Sequence, residues 1–153
     1  MVRKFIYGIV GISALMFSGC SSEESMEKCK PIVVESEGVV LTSSLEGLFL
    51  SGDLSPQGGS YIFTPKSDVE SRIQSVEVDG ESLPFSCDWA SAIVAGEPIC
   101  SGEWGEIAYL NEESPYEIGV TVNGNSGSES REIKIFVQGG YEMVTIELVQ
   151  AAE

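Results

Sequence analysis

Histidine is absent from the chain and basic residues are scarce: eight lysines and arginines face 24 aspartates and glutamates in 153 residues, a formal charge of −16. The first absence removes Ser-His-Asp and Cys-His nucleophilic mechanisms and the histidine ligands of a zinc site. The second argues against nucleic acid and against adsorption to anionic headgroups, which need a cationic face. There is no glycine-rich phosphate cradle, no cysteine pair at metal-ligand spacing and no repeat of solenoid or propeller length. A glycosidase needs only two positioned carboxylates, but nothing singles out two of the 24. The chain is therefore expected not to be an enzyme and to carry no metal or cofactor.

Long apolar runs are missing too, except at the N-terminus. Arg3 and Lys4 precede an uncharged apolar segment from Phe5 to Phe17, closed by Ser18, Gly19 and Cys20. This is the order of a signal peptide, and the run falls short of the roughly 20 residues a membrane-spanning helix needs. Phe17-Ser18-Gly19-Cys20 resembles a bacterial lipobox, with Phe where Leu is usual. The resemblance implies cleavage before Cys20, a diacylglycerol on its sulfur and acylation of the new amino terminus. Each buried CH₂ contributes about 0.8 kcal/mol, so several acyl chains hold a domain firmly to a membrane.

Residues 1–19 thus read as a lipoprotein signal peptide and 20–37 as a flexible acidic tether. The stretch SSEESMEK offers too little apolar surface to offset the entropy of ordering it. Ser21 stands where an Asp would resemble an inner-membrane retention signal, and Glu23-Glu24 is similar to the export signals of surface lipoproteins in Bacteroidetes. The expected location is the outer membrane, lipid-anchored, at the cell surface or on the periplasmic face. Loss of Arg3 and Lys4 would take the net charge from −16 to −18. With Cys20 acylated, Cys29, Cys87 and Cys100 remain, an odd number in an oxidising compartment. Cys87 and Cys100 both lie in the domain while Cys29 adjoins the tether, so the expected disulfide is Cys87–Cys100, contributing about 3 kcal/mol in the chain-entropy picture.

From residue 31 onward, short β-branched runs are broken by Gly, Ser, Asn and Pro, the pattern of an all-β chain. PIVVE, GVVLTSS, LEGLFLSG, GGSYIFTP and RIQSVEVDGES are candidate strands, the last ending in an Asp79-Gly80 hairpin turn. Period-2 alternation is clearest near the C-terminus, where it points Ile118, Val120 and Val122, then Ile133, Ile135 and Val137, then Val144, Ile146 and Leu148 inward. Boundaries between Phe85 and Leu110 are the least legible. One face alone would leave an apolar surface exposed, so an antiparallel β-sandwich of about seven or eight strands is expected over 38–153.

Residues 103–151, with Trp104, a strand ending in Asn123, Arg131 opening the next strand, glycines at 139 and 140 and a last strand closing on Gln150, look like the second half of a BACON domain, the Bacteroidetes-associated carbohydrate-binding often N-terminal family. GGSYIFTP is similar to the glycine-led strand of that family, and the resemblance spans about residues 45–152. It departs in a longer loop between Asn123 and Arg131 and in the Cys87–Cys100 segment, which looks like an insertion. The resemblance implies an immunoglobulin-like sandwich and a role in glycan or mucin binding.

Sugar binders stack pyranose faces on flat aromatic rings. Trp89, Trp104, Tyr109 and Tyr116 are the candidates, with Tyr141 read as a turn aromatic. Against this, a large ring near a sheet centre usually fills the core, and that is the favoured reading of Trp104, while Trp89 in its loop-like context stays open between core and site. Two functions remain open: a lipid-anchored module that binds glycans or mucin, and a non-binding spacer or assembly subunit of a surface protein complex. An exposed aromatic stripe would favour the first and buried tryptophans the second.

Overall fold

A computed structural model describes residues 31–85 and 90–153. The signal segment, residues 20–30 of the expected tether with Cys20 and Cys29, and Cys87 and Trp89 lie outside the described residues. Among the described residues eleven strands follow in order: β1 (Val33–Glu37), β2 (Thr42–Ser44), β3 (Phe49–Leu54), β4 (Gly58–Lys66), β5 (Ser71–Val78), β6 (Glu81–Ser82), β7 (Pro98–Gly102), β8 (Gly105–Tyr109), β9 (Ile118–Asn123), β10 (Arg131–Gly139) and β11 (Glu142–Gln150). They form a five-stranded sheet in the order β1-β4-β9-β8-β7 and a six-stranded sheet in the order β2-β3-β11-β10-β5-β6. The chain is an all-β sandwich.

Alternation builds the core. Ile118, Val120 and Val122 from the first sheet meet Ile133, Ile135, Val137, Val144, Ile146 and Leu148 from the second in one buried cluster. Each buried aliphatic side chain contributes about 1.5–3 kcal/mol. Asp79 and Gly80 both take positive φ, 52° and 80°, the geometry of the hairpin turn whose twist matches its strands. Asp79 also binds the neighbouring strand, its Oδ1 accepting from the Glu132 amide at 2.7 Å while its own amide donates to the Glu132 carbonyl at 2.8 Å.

Four expectations are corrected. The strand count exceeds seven or eight, because short edge pieces such as β2 and β6 and the hairpin β7–β8 add to the long strands. The sandwich is not wholly antiparallel, since β3 runs parallel to β11 with Phe49 opposite Thr145 and Leu54 opposite Gln150. The tether does not extend to residue 37: β1 pairs with β4 from Val33 to Glu37, and Ile32 is already buried. The strand expected over 45–52 begins only at Phe49, because Leu45–Gly47 forms a 3₁₀ turn whose Leu45 carbonyl accepts from the Leu48 amide at 3.1 Å.

Candidate functional site

The two ends of the sandwich hold its polar chemistry. At one end β7 and β8 turn through Glu103 and Trp104, and the Trp104 ring folds back over Gly102, where an added Cβ would sit 2.9 Å from it. Trp104 is 7% exposed, and its Nε1 is buried with no hydrogen-bond partner. Asn123 ties this turn to β9: its amide donates to the Trp104 carbonyl at 2.8 Å and its Nδ2 to the Glu103 carbonyl at 3.0 Å.

Gln150 is the hub of the same end. It is fully buried, and its Nε2 donates to the carbonyls of Ser55, Pro56 and Asn123 at 3.1, 3.1 and 2.9 Å, while its Oε1 accepts from Arg131 at 2.7 Å. Arg131 also reaches the Asn123 carbonyl at 3.2 Å. Asn125, which sequence patterning does not single out, is 5% exposed and donates to the Glu129 and Gln150 carbonyls at 2.9 and 3.3 Å. Asn123, Arg131 and Gln150, the landmarks of the family resemblance, therefore converge on one latch that ties the 55–57 turn, the 124–130 loop and the C-terminal residues together. Buried carbonyls need partners, and these side chains supply them.

The other end is built on tyrosines. Tyr109, 1% exposed, spans the core so that its hydroxyl accepts from the Ile73 amide of the opposite sheet at 2.8 Å. Tyr116 lies against it, ring centroids 5.4 Å apart and planes tilted by 57°, within the separation at which aromatic pairs attract. The Tyr116 hydroxyl donates to Glu70 at 3.2 Å, and Arg72 sits 5.6 Å over its ring while pairing with Glu70 and donating to the Ser91 carbonyl at 3.0 Å. Beside Tyr109 the crossing segment leaves a hollow of about 100 Å³ lined by Ser91, Ile93, Val94, Glu97 and Ile99.

Of the sequence-derived site residues, Trp104, Tyr109 and Tyr116 are buried, and the structure brings only the two tyrosines into contact. Trp89 lies outside the described residues, two positions before Ser91. Tyr141 is 99% exposed on the β10–β11 turn. Cys100 is a buried thiol on β7, and burial pushes its pKa up to about 11 against a lesser lowering by a backbone hydrogen bond with Ile107. Its expected partner Cys87 is outside the described residues. Among the described residues no group of three Cys, Asp or Glu side chains is placed to hold a metal ion, and no helix is long and apolar enough to cross a membrane.

No family model matches the chain, and no curated protein matches it. Among solved structures, the chain is similar to the NMR structure of a protein from Bacteroides thetaiotaomicron, with a TM-score of 0.50 and 21% identity over 80% of this chain and 88% of that one. Likeness at that level of identity is a likeness of fold, and it agrees with the sandwich described above.

Proposed function

We propose that the chain is a lipid-anchored envelope protein whose β-sandwich serves as a structural or assembly subunit of a surface protein complex. The observation that carries this is the burial of Trp104, Tyr109 and Tyr116. All three face the core or each other, so none presents a ring face on which a sugar could stack. At the Trp104 end Asn123, Arg131 and Gln150 bond the carbonyls of neighbouring loops. The anchor itself rests on the order of charge, apolar run and small residues before Cys20.

One observation favours the second reading, binding of glycans or mucin. The hollow beside Tyr109 is lined by the segment that follows Trp89, so a recognition site would be built there. A glycan and mucin array probed with the soluble chain from Met26 to Glu153, beside its Trp89→Ala variant, separates the two. The assembly role predicts no binding from well-folded protein; binding that disappears in a folded Trp89→Ala variant would replace it with a recognition module.

A further inference from the structure

Period-2 patterning identifies the residues that point inward and passes over those that point out. On the six-stranded sheet the outward set is unusual. Phe49 of β3 and Phe136 of β10 flank Thr145 of β11 in one row across the sheet, about 10 Å apart at two strand spacings. Each alternates with buried neighbours, Leu50 after Phe49 and Ile135 and Val137 around Phe136, and neither belongs to the core or to the side chains packed against it. Met143, 49% exposed, lies beside the same row opposite Gln138. On the outer face of the other sheet one row holds Ser60, Thr121 and Glu106, and the next holds Ile62, Gly119 and Ala108 with Leu110 packed against Gly119.

The next rows of the six-stranded sheet are acidic. Lys134 is held by Glu132 at 2.7 Å and Glu147 at 3.3 Å. Glu77 stands opposite Lys134 on β5, and Asp53 opposite Val149 on β3. Four carboxylates thus border the apolar row with one ammonium among them, itself shared between Glu132 and Glu147. Aromatic and Met side chains form the centre of protein interfaces, and complementary charge at the rim selects the partner. A second copy of this chain would bring the same acidic rim against itself within a molecule of charge −16. The tether segment 20–30 sets Glu23, Glu24 and Glu27 against Lys28 and Lys30 and so has no net positive charge with which to answer the acidic rim, while an anionic lipid surface is repelled outright.

From this apolar row with an acidic border we infer that the outer face of the six-stranded sheet, centred on Phe49, Phe136 and Met143, is the docking surface for a partner protein that presents an apolar patch rimmed by lysine or arginine. This rests on the assembly role proposed above and gives it a surface and a partner chemistry.

The test is photocrosslinking in intact cells that make the full chain, with p-benzoylphenylalanine at position 136, and at position 121 on the opposite sheet as the reference. The partner identified from position 136 is then purified and titrated against the unaltered protein, Phe136→Thr and Glu147→Gln. Crosslinking from 136 and not 121 is expected, with affinity at least tenfold weaker for Phe136→Thr, weakened for Glu147→Gln and falling as salt rises. Crosslinking from 121 alone would overturn the surface while leaving the assembly role standing; crosslinking from neither position would overturn both. A salt-independent complex, or a crosslink to a second copy of the chain, would overturn the partner chemistry.

Discussion

Trp104 is the residue on which the functional choice turns, and its burial is directly measurable. With Trp89→Phe leaving Trp104 as the sole indole, emission should be blue-shifted and acrylamide quenching weak; solvent-exposed emission with strong quenching would return Trp104 to the list of contact residues. Gln150 makes the opposite point about polar side chains, since it is fully buried and serves three carbonyls and one guanidinium. Gln150→Leu should destabilise the domain by about 2–3 kcal/mol in urea unfolding, because it leaves several of those groups unpaired in the interior. An effect within experimental error would show that the latch contributes nothing. Cys100 carries a pH dependence in the reduced protein. An unfolded chain's thiol ionises near its ordinary 9.0 and the folded one only at about 11. The native state thus holds its proton where the unfolded state has lost it, and stability is whole below pH 9 and falls between pH 9 and 11, by roughly 2–3 kcal/mol at most. Set against Cys100→Ala, which lacks the titrating group, the stability difference should shift against the unaltered protein across that window; a difference constant with pH would contradict the burial.

Among the elements, β9, β10 and β11 are legible in the sequence because each alternates cleanly between an apolar inner and a polar outer set, so period 2 alone fixes their inward faces. The β7–β8 hairpin is not, because PICSG and GEIAY are short and carry Pro and Gly, and in β8 Ala108 is buried along with Ile107 and Tyr109, which blurs the alternation. The parallel pairing of β3 with β11 leaves no local trace, since its partners lie far apart in the chain. Tyrosine is equally ambiguous, with an apolar body suited to the core and a polar tip suited to a site; Tyr109 resolves this by bonding the opposite sheet. Phe49 and Phe136 escape a reading of the sequence for a related reason, because a phenylalanine within an apolar run is readily counted as core. Two glycines distinguish backbone that is merely strained from backbone with no room. Gly80 has φ 80° and open space where a Cβ would project, so Gly80→Ala should cost about 1 kcal/mol. Gly105 has φ 143°, and an added Cβ would lie 1.9 Å from the Thr121 carbonyl oxygen. Gly105→Ala should therefore cost about 3 kcal/mol or more by forcing β8 away from β9; equal costs in parallel thermal melts would show that β8 and β9 are not so close.

At the scale of the whole molecule, charge and topology act together. Among the described residues each lysine and arginine is already engaged: Lys66 with Glu35, Arg72 with Glu70, Lys134 with Glu132 and Glu147, and Arg131 with Gln150 and the Asn123 carbonyl. Most carboxylates are left to set the surface potential, which keeps the domain off anionic headgroups while a lipid on Cys20 would hold it near them. Cys20→Ser should accordingly move the protein from the membrane pellet to the soluble fraction, and an unchanged distribution would remove the anchor. The central claim, a sandwich that works by assembly and not by sugar recognition, is tested most directly by sedimentation velocity of the full chain extracted from its own membranes in mild detergent. The account predicts a species heavier than one copy in its micelle, dispersed by Phe136→Thr and by high salt; a single copy at every salt concentration would contradict it.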